Sequence, residues 1–260
     1  MRLRKYHGLG NDFLILFDMD GAQPVDAATA AAVCDRHRGV GADGFIRITA
    51  GADGSDVTMD LRNADGGVAE ISGNGLRCVV RAVVDAGLVA GSEVVVGTAA
   101  GDRRATIGID GNVSVEMGAV SIVDRKGPGT GLGPDDAGWS GFVDAGNPHA
   151  VFGVDDLDGL DIVADGQAWD HNCPGGTNVE YVVVGPESDS LTMRVWERGV
   201  GETLACGSGA CAAAVIAHHA DLVGDHVTVH QPGGSLFVDL SGDSVMLTGP
   251  AEFVCRVETP

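Results

Sequence analysis

Residues 71–78 read ISGNGLRC and residues 205–212 read ACGSGACA. Shifting the first stretch forward by 206 − 72 = 134 positions lays Gly73 on Gly207, Gly75 on Gly209 and Leu88-Val89 on Leu222-Val223 without a gap. The repeat opens on Ser72 in one copy and on Cys206 in the other. Gly-x-Gly at the start of a helix leaves backbone N–H groups unobstructed where the helix carries partial positive charge, so each copy is suited to an anion. Two such termini acting together can hold one carboxylate, which an otherwise very acidic protein needs if it is to bind an acidic substrate. The competing reading is that the glycines only allow close packing. A cysteine in the first turn has its thiolate favoured by the same N–H groups, so Cys206 reads as a nucleophile or base with a lowered pKa. Cys211, five residues along, reads as core.

Other short stretches add to this pair. HGLGNDF (7–13), ADGGVAEISGNGLRC (64–78), GNPH (146–149), GTNVEYV (176–182) and WERGVGETLACGSGA (196–210) resemble, in this order and over most of the chain, the diaminopimelate epimerase family. The resemblance implies a cofactor-independent epimerase of two pseudo-symmetric lobes with the active site between them, a homodimer, and the interconversion of LL- and meso-diaminopimelate in lysine biosynthesis. It places substrate contacts on Asn11, Asn63, Asn147, Asn178, Glu197 and Arg198, and a backbone anion cradle on Gly73-Asn74 and Gly207-Ser208. It also sets His149 and Glu197 beside the two catalytic side chains, which they tune. The chemistry agrees: Arg198 suits a distal carboxylate bidentately, and Glu197 and the amides suit ammonium groups. Taken alone, His149 reads as a structural histidine; the Gly-Asn-Pro-His context reverses that. Two departures stand out. Gly44, in GVGADGF, replaces a glutamine that often supplies a contact, and Ser72 stands at the position of the first catalytic cysteine.

Inverting an α-carbon without a cofactor requires one group to take the proton and another, already protonated, to return it on the opposite face. Two cysteines exchange these roles at each turnover. A serine hydroxyl is far less acidic, so Ser72 donates a proton only by becoming a costly alkoxide or with help from a neighbouring base such as His149 or Glu197. Three alternatives therefore stay open: an epimerase in which Ser72 relays the second proton, whether native or a slow or engineered variant; a one-base lyase, dehydratase or isomerase using Cys206 alone on a related amino acid; and a non-catalytic amino-acid-binding protein.

These residues need elements to hold them. Residues 2–18 alternate about GLGND and predict a hairpin with a Gly-Asn turn. A helix is expected from Asp26 to Arg36, a strand runs through VTMDLRN into a turn, and Asn74–Ala86 has helical spacing closed by Gly87. Strands are expected at 92–98, 103–108 and 112–117, with Asp110-Gly111 as a turn. The order then repeats: a surface loop at 127–138, strands at 141–145, 149–153, 178–184 and 190–196, a helix from Gly207 to Ala220, and strands at 226–230, 234–239 and 243–248. Both helices are apolar nearly all round and are expected at the centre of their lobes. The fold class is α+β, each lobe a strongly curved, mostly antiparallel sheet around a central helix. The lobes are expected at 1–118, completed by a C-terminal strand at 251–260, and at 119–250.

Composition narrows the function. At 260 residues the chain is long enough for two lobes of roughly 120 residues. Its 37 acidic against 16 basic residues give a formal charge of −21, and Lys5 and Lys126 are its only lysines. Such a surface repels nucleic acid and anionic membranes. The charge is read either as ordinary acidic solubility or as adaptation to high salt. The apolar run FLILF is too short for a signal-peptide core or a membrane span, which gives a cytoplasmic expectation. Six cysteines in a chain this long do not form a disulfide framework. There is no GxxxxGK[ST] loop, His218-His219 and Cys206/Cys211 lack zinc spacing, and two lysines leave little scope for pyridoxal phosphate. No metal and no organic cofactor is expected.

Overall fold

A computed structural model describes residues 1–52, 54–69, 72–123, 138–173 and 175–259. The chain divides into two compact units, Met1–Glu116 with Thr248–Pro260, and Met117–Leu247. The first begins with the antiparallel pair β1 (Arg2–Gly8) and β2 (Asn11–Phe17), in which Gly8 faces Asn11. The two-residue loop is Leu9-Gly10, with φ of 56° and 90°, the positive-φ pair that a tight hairpin with right-handed twist demands. The turn thus falls one residue before the expected Gly-Asn, and Asn11 already belongs to β2. Helix α1 (Ala27–Cys34) is capped by the Asp26 side chain, which accepts from the Thr29 N–H. It stops short of Arg36 because the Asp35 carboxylate accepts from the backbone N–H of His37 and Arg38 and turns the chain. Then follow β3 (Gly44–Ala50), β4 (Val57–Asn63), α2 (Gly73–Asp85), β5 (Glu93–Gly97), β6 (Arg103–Ile107) and β7 (Val113–Gly118). The β2–β3 and β4–β5 pairs are parallel; β1–β2, β3–β4, β5–β6 and β6–β7 are antiparallel.

The second unit repeats this wiring. Its elements are β8 (Ser121–Val123), β9 (Ser140–Asp144), β10 (Pro148–Gly153), α3 (Ile162–Asn172), β11 (Asn178–Val184), β12 (Ser190–Glu197), β13 (Gly201–Thr203), α4 (Gly207–His219), β14 (His226–Gln231), β15 (Gly234–Asp239) and β16 (Val245–Gly249). Strands β9 and β10 pair antiparallel, β10 and β11 parallel, β11 and β12 antiparallel, β12 and β14 parallel, and β14 and β15 antiparallel, matching β1 to β6 step for step. The last strand, β17 (Glu252–Glu258), returns to the first unit and pairs antiparallel with β1, as β8 does with β9. Strand β3 and helix α3 were not anticipated from the sequence. Of the loop expected at 127–138, all but Gly138 lies outside the described residues. Among the described residues no helix is long and apolar enough to cross a membrane.

Each unit wraps its sheet around one helix. Helix α2 touches β1, β2, β3, β5, β6 and β17, and α4 touches β9, β10, β11, β12, β14 and β15. Ten of the thirteen residues in each helix are buried, and they are the same ten positions offset by 134. Only α4 is apolar nearly all round. Helix α2 carries Arg77, Arg81 and Asp85, and Arg77 is fully buried because its guanidinium donates to Asn74 Oδ1 and to the Pro250 carbonyl. Both helices close with the same cap, Leu88 N to Val83 O and Leu222 N to Ala217 O, through a positive φ at Gly87 and at Asp221.

The outer faces of the sheets pack the remaining helices. Leu14, Leu16 and Phe45 join Ala30 and Cys34 of α1, while Ala150, Phe152, Val179, Tyr181 and Trp196 join Ile162 and Trp169 of α3. Burying each large apolar side chain of this kind contributes roughly 1.5–3 kcal/mol. Side chains alternate along a strand, so the residues between these point to the central helix.

Candidate active site

That alternation determines what surrounds Cys206. In β10 and β11 the residues not given to α3 are His149, Val151, Asn178 and Glu180, and these face α4. His149 lies opposite Asn178 in the parallel register; extending the β11–β12 register by one residue sets Asn178 opposite Glu197. Cys206 is the N-cap of α4 and has an extended backbone, its sulfur accepting from the Gly209 N–H at 3.4 Å. Its own N–H donates to Gln231 Oε1 at 2.7 Å, and Ser208 Oγ lies 3.6 Å from Sγ. The cysteine is buried, with 4% of its surface exposed.

Two carboxylates share this neighbourhood. Thr203 Oγ1 donates to Glu197 Oε1 at 2.5 Å, and Glu180 Oε1 lies 2.6 Å from His149 Nδ1, both side chains of that couple being wholly buried. His149 Nε2 lies 2.9 Å from Asn147 Oδ1. Loss of solvent raises the Glu197 pKa, against the Thr203 hydrogen bond, the charge of His149 and the Cys206 thiol. Burial, then Glu197 and Glu180, push the Cys206 thiol well above its usual range; the Ser208 hydroxyl and the Gly209 N–H pull the other way and lose. This corrects the expectation of a lowered pKa: the helix terminus acts in the expected direction, but desolvation and two carboxylates outweigh it.

The first unit holds Ser72 on the same scaffold. Ser72 is the N-cap of α2, and its hydroxyl oxygen accepts from the Gly75 N–H at 3.0 Å, as the Cys206 sulfur does from Gly209. Asn74 Nδ2 donates to Asn11 Oδ1, whose amide donates in turn to Asp43, itself bonded to Arg36. A cavity of about 280 Å³ opens beside Ser72, lined in part by Thr58, Asp60, Leu61, Val68 and Thr98. Phe13 and Ile46 occupy the places that His149 and Glu180 hold in the second unit, by the same parallel register. Gly44 corresponds to Asn178, and a side chain there meets the Arg62 carbonyl at 2.9 Å and the Phe13 ring at 3.0 Å. At Gly44 the chain therefore packs too closely for a side chain unless its neighbours shift.

Asn147, His149, Asn178, Glu197, Arg198, Cys206, Gly207 and Ser208 belong to the second unit, and Asn11, Asn63, Ser72, Gly73 and Asn74 to the first. The Asn178 oxygen accepts from the Arg198 N–H and its amide donates to the Pro148 carbonyl. Arg198 reaches the Gly175 carbonyl through Nη1. Asn63 ends β4, is exposed, and closes a turn through its backbone with Gly66 and Gly67. Glu180 and Gln231 were missed. Glu180 lies within the GTNVEYV motif two residues beyond Asn178, where strand alternation puts it on the same face; nothing local marks Gln231. Among the described residues no three His, Cys, Asp or Glu side chains are grouped to hold a metal ion.

The same architecture recurs in solved structures of low sequence identity, which speak for the fold. A phenazine biosynthesis protein of the PhzF family from Bacillus anthracis superposes with a TM-score of 0.78 at 15% identity, covering 100% of this chain and 99% of that one. A hydroxyproline epimerase from Agrobacterium vitis, with bound trans-4-hydroxy-L-proline, gives 0.72 at 16%, covering 99% and 91%. Sequence relatives are nearer. The diaminopimelate epimerase of Thermobifida fusca is 41% identical over 272 aligned positions, 98% of this chain and 97% of that protein. That of Moorella thermoacetica is 38% identical over 279 positions, 100% and 99%. The family profile described as diaminopimelate epimerase matches residues 3–123 and 141–254, spanning both Ser72 and Cys206. With two repeated lobes, a capped Gly-x-Gly helix in each, and matches along almost its whole length, the chain belongs to the diaminopimelate epimerase family.

Proposed function

We propose that the protein is an isomerase that interconverts LL- and meso-diaminopimelate in lysine biosynthesis, without a cofactor, by removing the α-proton and returning one on the opposite face. The observation that carries this reading is Cys206 at the N-cap of α4, buried beside Glu197. Cys206 rests as a thiol. Transfer of its proton to Glu197, whose pKa burial has raised, leaves a thiolate and a carboxylic acid with no change in net charge, so the base forms without adding a buried charge. The thiolate then takes the α-proton on one face. Electron density left at the α-carbon spreads into the substrate carboxylate, which N–H groups at a helix N-terminus stabilise.

Ser72 serves the other face: its hydroxyl gives the α-carbon a proton, and the alkoxide left is reprotonated through solvent as the Glu197 acid gives its proton up, which restores the resting state. Its oxygen is held by the Gly75 N–H, which favours an oxyanion there as the Gly209 N–H favours a thiolate at Cys206. Asn11, Asn63, Asn147, Asn178 and Arg198 orient the substrate, with the Gly73-Asn74 and Gly207-Ser208 segments as the anion cradle. Purified protein should convert LL- to meso-diaminopimelate by chiral chromatography, and Cys206→Ala should lose at least about a hundredfold, within the ~10²–10⁴ that a positioned acid or base supplies. Undiminished turnover in Cys206→Ala would overturn the assignment.

We take the enzyme further to be a cytoplasmic homodimer suited to high salt. In support, β17 exposes Phe253 and Val254, and the formal charge is −21. Sedimentation in molar KCl tests the dimer.

A further inference from the structure

Glu180 is a fully buried titratable group in this unit with no step assigned to it so far. Its side chain and that of His149 are both wholly buried, 2.6 Å apart, and among the described residues Glu180 Oε2 has no hydrogen-bond partner. Room for the carboxylate comes from α4: a Cβ on Gly209 would stand 2.6 Å from Glu180 Oε1. The fold does not demand this couple, because the first unit fills the same two places with Phe13 and Ile46. An apolar pair is the less costly solution for stability, since buried charges lose hydration that their attraction seldom restores in full. A buried acid–imidazole couple retained at one of two equivalent places, next to the reactive cysteine, points to chemistry.

With the Asn147 amide oxygen toward the ring, both nitrogens of His149 face oxygens. Both ring nitrogens are then paired when the couple holds two protons, one on Nε2 and one between Nδ1 and Glu180, and it carries no net charge. Around it lie Glu197 from β12 and Cys206 at the cap of α4. A lone carboxylate at this place would be a second negative charge opposing loss of the Cys206 proton.

We propose that Glu180 is a positioning residue for proton transfer at Cys206, fixing the His149 ring through Nδ1 and keeping the buried couple neutral beside the Cys206–Glu197 pair. The proposal rests on the reading of Cys206 as the base. Glu180→Gln keeps the size of the side chain and an oxygen for Nδ1 but removes the charge. Expected is a fall in kcat of about tenfold or more, part of the ~10²–10⁴ of acid–base catalysis, with KM within about twofold, as for a group that acts on the chemical step. Nitrogen-15 NMR of the His149 ring, assigned with His149→Asn, should show two ring N–H protons in the unaltered protein at neutral pH and one in Glu180→Gln. A single ring N–H in the unaltered protein, or an unchanged kcat in Glu180→Gln, overturns the proposal. If Glu180→Gln does not fold, the ring signals of the unaltered protein decide alone. Failure of the unaltered protein to turn over LL-diaminopimelate would sink the functional reading and is distinguishable, because the ring protons are counted without substrate.

Discussion

At Cys206 two opposing effects meet. The end of α4 offers N–H groups that stabilise a thiolate, while burial and the carboxylates of Glu197 and Glu180 favour the thiol and win. The free enzyme should therefore react slowly with iodoacetamide at Cys206 near pH 7. The rate should climb about tenfold per pH unit between pH 7 and 9, because the thiolate fraction scales that way well below a thiol's pKa. Peptide mapping of alkylated protein checks this; a rate already flat by pH 8 would mean a lowered pKa. The cysteine and its place at a helix start were legible in the sequence. The sign of its shift was not, because the two carboxylates come from strands 9 and 26 residues earlier, by 206 − 197 and 206 − 180. Only the strand register shows that they converge. Gly44 illustrates the same limit: its departure from the family pattern was visible, but how closely the Phe13 ring and the Arg62 carbonyl approach it was not.

Between elements, the two central helices give a controlled comparison. Alanine is favoured over glycine inside a helix by about 1 kcal/mol, so on propensity alone Gly75→Ala and Gly209→Ala should both stabilise. Their surroundings differ. A Cβ at Gly75 meets Ser72 at 3.3 Å and a methyl of Ile46 at 3.4 Å, contacts that small shifts relieve, whereas at Gly209 it meets Glu180 Oε1 at 2.6 Å and Cys206 Sγ at 3.3 Å. Gly209→Ala should cost stability and activity together, and Gly75→Ala, which has no buried carboxylate to displace, should cost less of both. Melting curves and initial rates of the pair check this, and equal effects would refute it. The repeat of helix and cap was readable because Gly73, Gly75 and Leu88-Val89 recur at one offset as Gly207, Gly209 and Leu222-Val223. Helix α3 was not, since its buried stripe of Ile162, Gly166, Trp169 and Cys173 holds only two large apolar residues and a glycine; Gly166 lies against the Trp196 ring, where no side chain fits. Strand β3 escaped notice because its first residues are buried on both faces and do not alternate.

For the whole molecule the two-lobe division followed from the 134-residue offset, and the formal charge of −21 from simple counting. Like charges spread over one surface repel, and salt screens them to about 3 Å at 1 M. The unfolding midpoint should rise steadily as KCl is raised to molar concentration; a flat response would mean the acidity is only ordinary solubility. The proposed mechanism draws on a residue of each unit, Cys206 in the second and Ser72 in the first. The measurement that tests this most directly is proton NMR of the protein with LL-diaminopimelate in D₂O and molar KCl, beside Cys206→Ala and Ser72→Cys. The account predicts deuterium at the α-carbon together with meso product, both abolished by Cys206→Ala and both faster in Ser72→Cys. Deuterium without meso product, or no exchange at all in the unaltered protein, would contradict it.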